Sequence, residues 1–136
     1  MSEVLNNENS YSFWKEMLQL KLTEYLESHY YFSRKTKSGK NLFGNNSINL
    51  IIINCIVPLI LFNSKLKSSK KLYSNAFEIM KSTMPEKNTV TKKFTDIICK
   101  PQNGIDSQAL NYLYKDLCLK SACSNCLIGK KILNLS

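Results

Sequence analysis

Three cysteines fall within nine residues near the end of the chain, as Cys118-x4-Cys123-x2-Cys126. A Cys-x2-Cys pair offers two thiolates to one metal ion from a tight turn, and a third from a preceding helix end supplies a third tetrahedral ligand. The small residues Ala122 and Ser124, with Gly129, ease such a turn without being required for it. No fourth ligand stands in the local sequence. His29, Cys99 and Cys55 are the candidates, and no spacing rule selects among them. Cys55 sits in an apolar run and reads as a small buried hydrophobe. Cys99 closes a predicted helix and is within reach. The chemistry expected is a structural metal, with zinc ahead of an iron–sulfur cluster because zinc accepts a histidine more readily. Reduced, unligated thiols are the competing reading. A redox Cys-x-x-Cys pair is disfavoured because no βαβ pattern surrounds it.

The second group that could do chemistry is basic. The aromatic run Tyr30, Tyr31, Phe32 is followed by Arg34, Lys35, Lys37 and Lys40, a combination that stacks bases and neutralises phosphates. Its plainer reading is a set of core anchors beside solvated lysines. The formal charge is +9, from 19 Lys+Arg against 10 Asp+Glu, which draws nucleic acid or another anionic partner. Arg34 is the single arginine, so bidentate base recognition is nearly absent and any nucleic-acid contact is to the backbone. His29, the one histidine, has no triad partner in the pattern and reads as structural. There is no phosphate-cradling Gly-rich loop and no paired-carboxylate signature. Nothing supports catalysis by this chain.

These residues must be positioned by helices. Four glycines and three prolines are too few for a turn-rich sandwich or barrel. The expected fold is all-α, a bundle of about five to six helices with a C-terminal cysteine knuckle. Residues 1–10 are expected to fray and 11–136 to form a single helical domain. Helical periodicity runs from about Ser12 to the neighbourhood of Ser28, with Phe13, Met17, Leu20 and Glu24 on one side. Residues 30–46 are expected to loop. Ser47 is predicted to cap an apolar central helix over Ile48–Phe62, kinked by Pro58. An amphipathic helix is predicted over Leu66–Met84, stopped by Pro85. Asn88 caps a short helix containing Val90 and Phe94, and Asp106 or Ser107 caps the next, with Leu110, Leu113 and Leu117 in register. The apolar stretch 48–62 is shorter than a bilayer span, and no membrane partner is expected. A polar, acidic start and an odd number of cysteines point to a reducing, cytoplasmic location.

The aliphatic run Ile51–Ile60 with Asn54 and Pro58, the turn Pro85-Glu86-Lys87-Asn88, the stretch Asp106-Ser107-Gln108-Ala109-Leu110 and the closing Cys118-x4-Cys123-x2-Cys126-Leu127-Ile128-Gly129 occur in that order. With His29-Tyr30 and Phe32 upstream, they resemble the C-terminal portion of the Bacteroidota family named domain of unknown function 2851, over roughly residues 12–133. The resemblance implies a helical module that accompanies a nuclease-like domain or subunit, since the longer family members begin with what looks like a restriction-endonuclease-type core. The acidic metal-binding residues of that core are not in this chain. It also implies that the three cysteines belong together, and it gives the basic charge a use on nucleic acid.

Overall fold

The computed structural model describes residues 9–20, 23, 25, 28–31, 34–35, 43–97 and 100–133. The chain divides into two compact units, residues 1–84 and 85–136. Both are built mainly from helices, as the composition predicts.

In the first unit, α1 spans Tyr11–Leu18, and Ser10 caps it by accepting from the Phe13 amide. Trp14 is 5% exposed and forms a core with Ile48, Ile52, Val57, Ile60, Leu72, Ala76 and Ile79. Met17 and Leu20, expected on the inner side, are exposed. A short antiparallel hairpin stands where a loop was expected: β1 (His29–Tyr31) pairs with β2 (Arg34–Lys35), His29 opposite Lys35 and Tyr31 opposite Arg34.

Helix α2 runs over Asn45–Leu66, 22 residues, well beyond the predicted 48–62. Gly44, in extended conformation, precedes its first residue, so Ser47 lies inside the first turn and does not cap it. The irregularity predicted at Pro58 takes the form of a π turn over Ile52–Ile56, in which the Val57 amide donates to the Ile52 carbonyl. Pro58 has no N–H, and its ring would press on the carbonyl of Asn54 in a regular helix. Widening the preceding turn relieves that pressure. Asn54 Nδ2 donates to the Leu50 carbonyl at 3.0 Å, giving that group a partner.

By length and composition α2 is long and apolar enough to cross a membrane. Its residues divide between burial and exposure. Ile48, Ile52, Val57 and Ile60 enter the core, whereas Leu50, Leu59, Phe62 and Leu66 are exposed. The expectation of a helix buried all round is therefore corrected, and with it the reading of Cys55, which is exposed. Among the described residues, α1 and the next helix pack against the core residues of α2.

The predicted helix Leu66–Met84 starts later. Lys67–Ser69 form a turn, and α3 spans Lys70–Ser82 with Ser69 as its cap. Ser68 sits at φ 50°, in the left-handed region. The Ser69 amide donates to the Ser64 carbonyl at 2.9 Å and the Ser68 amide to the Lys65 carbonyl at 3.2 Å. This paired bonding is the Schellman ending of a helix, with serine where glycine is usual.

In the second unit, α4 (Thr89–Ile97) and α5 (Gly104–Leu113) are followed by α6 (Leu127–Ile132). Asn88 caps α4 as expected: its Oδ1 accepts from the Thr91 amide at 2.9 Å, while Thr91 Oγ1 accepts from the Asn88 amide at 3.1 Å. For α5 the cap is Asn103, which accepts from the Asp106 amide at 3.0 Å. Neither Asp106 nor Ser107 fills that role, because the helix begins at Gly104 and both lie in its first turn. Glu86 joins the 85–88 turn to α5. Its carboxylate accepts from Gln108 Nε2 at 3.0 Å, Asn111 Nδ2 at 3.0 Å and Asn88 Nδ2 at 3.2 Å. Charge-assisted bonds of this kind are the stronger ones.

Candidate functional site

The three clustered cysteines sit on three consecutive pieces of backbone in the second unit. Helix α5 continues into a π turn over Tyr114–Cys118, so Cys118 is its last residue. The chain then reverses through a second Schellman ending: the Ala122 amide donates to the Leu117 carbonyl at 2.9 Å, the Ser121 amide to the Cys118 carbonyl at 3.1 Å, and Ser121 takes φ 52°. A single 3-10 turn, Cys123–Asn125, follows, closed by the Cys126 amide donating to the Cys123 carbonyl at 3.2 Å. Cys126 then precedes α6, and its carbonyl accepts from the Lys130 amide at 2.8 Å.

Gly129 decides how closely these pieces stack. A Cβ there would stand 2.5 Å from the Cys123 carbonyl oxygen and 3.0 Å from the Cys123 Cα. Helix α6 can lie on the cysteine turn only because position 129 has no side chain. The sequence had placed glycine there as merely convenient. Its position six residues after Cys123 is the one signal that pointed this way.

Cys118, Cys123 and Cys126 all line one apolar pocket of about 270 Å³, walled by Phe94, Leu113, Leu117, Ile128 and Ile132. At its rim Lys93 Nζ lies 5.3 Å from the centre of the Tyr114 ring, a cation–π distance. Cys126 is buried, while Cys118 and Cys123 are exposed as residues. Burial of the Cys118 thiol pushes its pKa above the ordinary value, and the neighbouring Cys126 and Cys123 push it the same way. Cys118 therefore holds its proton more tightly than an ordinary thiol unless a cation offsets the charge. The donor set is soft and sulfur-only, which suits zinc or an iron–sulfur cluster. As placed, the trio shares a pocket without closing on a common point: among the described residues no group of three or more His, Cys, Asp or Glu side chains could hold a metal ion.

Cys99 lies outside the described residues, as do Lys37 and Lys40. Cys55 and His29 belong to the first unit, the trio to the second. His29 is engaged locally. Its ring stacks on Tyr25 at 4.2 Å, and its Nδ1 is 2.9 Å from Ser28 Oγ and 3.0 Å from the Tyr25 carbonyl. Arg34 and Lys35 are exposed on β2.

A mainly helical chain with a cysteine-lined pocket and no catalytic constellation among its described residues defines a class, a small helical module. Residues 1–89 match the model of the family described as "Protein of unknown function (DUF2851)", and the chain belongs to that family. The match takes in the first unit and the Glu86–Asn88 turn and stops short of the cysteines. No curated protein and no solved structure matches the chain.

Proposed function

We propose that the chain is a non-catalytic helical accessory module that contacts nucleic-acid phosphates or a nuclease-like partner domain, its second unit fastened by a structural metal on Cys118, Cys123 and Cys126. The observation that supports the metal is that all three cysteines line one pocket, from a helix end, a 3-10 turn and a helix start. The three thiols would have to draw together to share an ion. The pocket's apolar walls would then exclude water from the thiolate–metal bonds. A fourth ligand from the same unit, Cys99 by sequence, would complete the coordination. The net charge of +9 supports an anionic partner.

The test is elemental analysis and a visible absorption spectrum of protein purified without oxygen or chelator. About one zinc per chain, or the broad absorption of an iron–sulfur cluster, is the expected result, with loss of the metal and a lower melting temperature in Cys126→Ser. Metal-free protein whose melting is unaffected by chelator would leave the second reading, an interaction domain with free thiols. That reading draws on the exposure of Cys118 and Cys123 and on the absence of a closed ligand group among the described residues.

A further inference from the structure

The positive charge is not spread along the chain. Between Glu27 and Glu78 there is no acidic residue, while eight basic ones occur: Arg34, Lys35, Lys37, Lys40, Lys65, Lys67, Lys70 and Lys71. Residues 28–77 therefore carry +8 of the net +9, and the other 86 residues hold eleven basic and ten acidic side chains. Half of the eight lie at one place in the fold, the turn between α2 and α3. Lys65, Lys67, Lys70 and Lys71 are all exposed there.

Aromatic rings stand next to these lysines. Tyr73, 53% exposed, helps to line an open depression of about 500 Å³ together with Lys65, Lys70, Ser64, Ser68 and Ser69. Its ring lies 4.9 Å from that of Phe77, which is itself exposed. Phe62, one turn before the lysines on α2, is 62% exposed. Exposed aromatic rings beside ammonium groups, in a stretch of sequence without acidic residues, match what single-stranded nucleic acid needs: cations for the phosphates and flat faces for the bases.

We infer that the α2–α3 turn, with Lys65, Lys67, Lys70, Lys71 and the face of Tyr73, is the surface on which single-stranded nucleic acid docks. This rests on the proposed reading that the anionic partner is nucleic acid, and it names the strand type and the face. Unpaired bases are required because a ring can stack only on a base that its neighbours leave open. Lysines without arginine give contacts that tolerate any sequence. A second copy of the chain is disfavoured by repulsion between two such surfaces. A lipid bilayer fits less well, because the apex of the turn is Lys67-Ser68-Ser69-Lys70, charged and hydroxylic where an inserting wedge would be apolar.

Binding of a fluorescently labelled oligothymidylate of about twenty nucleotides, followed by anisotropy between about 50 and 200 mM salt, tests the assignment. For the full chain, the logarithm of affinity should fall with the logarithm of salt at a slope that includes about −2 to −3 from three or four lysine contacts. Replacing Lys65, Lys67, Lys70 and Lys71 together by Gln should remove that part of the slope and weaken binding more than about tenfold at the lowest salt. Tyr73→Ala should weaken it about 5- to 100-fold with the slope unchanged, and Tyr73→Phe should restore it. All these positions are exposed, so helix content by circular dichroism should stay constant. If the fourfold variant binds as the parent does, the surface is wrong while the nucleic-acid reading stands. If the parent chain does not bind the oligonucleotide even at about 50 mM salt, both fall. Capture by phosphatidylglycerol vesicles that depends on Phe62 and Leu66 and is not competed by oligonucleotide would overturn the proposal in favour of a membrane.

Discussion

A single missing methyl group holds the cysteine region together. Because a Cβ at position 129 would lie 2.5 Å from the Cys123 carbonyl oxygen, Gly129→Ala forces either α6 or the Cys123–Asn125 turn to move. Overpacking of this kind costs about 1–3 kcal/mol. Thermal unfolding by circular dichroism should show the loss, and a Gly129→Ala protein as stable as its parent would mean that the turn is free to shift. Cys118 gives a second test. Its pKa is raised in the folded chain, mainly by burial. The folded state therefore holds this proton more tightly than the unfolded state does. The associated stability is complete below the ordinary thiol value near 9.0 and is lost as pH rises past it. In metal-free protein, alkylation of Cys118 should accelerate at higher pH than that of an ordinary thiol. Cys123→Ser or Cys126→Ser should bring the midpoint only part of the way back, since burial is the larger cause.

Two helices end on the same device, and both endings are suboptimal. Ser68 and Ser121 adopt φ 50° and 52° to close α2 and the π turn after α5. Only glycine takes that region without a Cβ penalty. Ser68→Gly and Ser121→Gly should each stabilise the protein by about 0.5–1 kcal/mol, read as a shift in denaturant midpoint with unchanged slope. No gain at either position would show that the serine hydroxyl makes up the difference. A comparable tension runs through α2, where Pro58 is accommodated by a π turn rather than by a break. The helix thereby continues past the proline and extends to Leu66, which delivers Lys65 and Lys67 to the turn before α3. The proline's local cost thus acts on where the basic cluster sits.

At the scale of the molecule, the two units divide the chemistry between them. The first holds the acid-free stretch and the buried core around Trp14; the second holds the thiols. Neither brings together, among the described residues, a cluster of carboxylates able to hold the divalent ions of phosphodiester cleavage. The purified chain incubated with single- or double-stranded DNA and magnesium or manganese should leave it intact on a gel. Cleavage that survives repurification and disappears in a carboxylate variant would require a site assembled in a way the sequence does not suggest.

The helical class was legible from few glycines and prolines, from 3.6-residue periodicity and from caps such as Asn88. Asn88 was readable because its partner, Thr91, is three residues away. The pairing of three cysteines with one region was legible for the same reason: all three lie within nine residues, so short backbone segments alone bring them to one pocket. What tertiary structure decided involves distance along the chain or competition for burial. Nothing local announces that Glu86 would be held by Gln108 and Asn111, more than twenty residues on. Periodicity could not say which residues of an apolar helix would stay exposed, because that depends on which partners pack against it. Cys55 and Phe62 are exposed for that reason. The cysteine cluster was thus set by sequence as a group of neighbours. Its backing by Gly129, its apolar pocket and the raised proton affinity of Cys118 follow from how α6 folds back onto the turn.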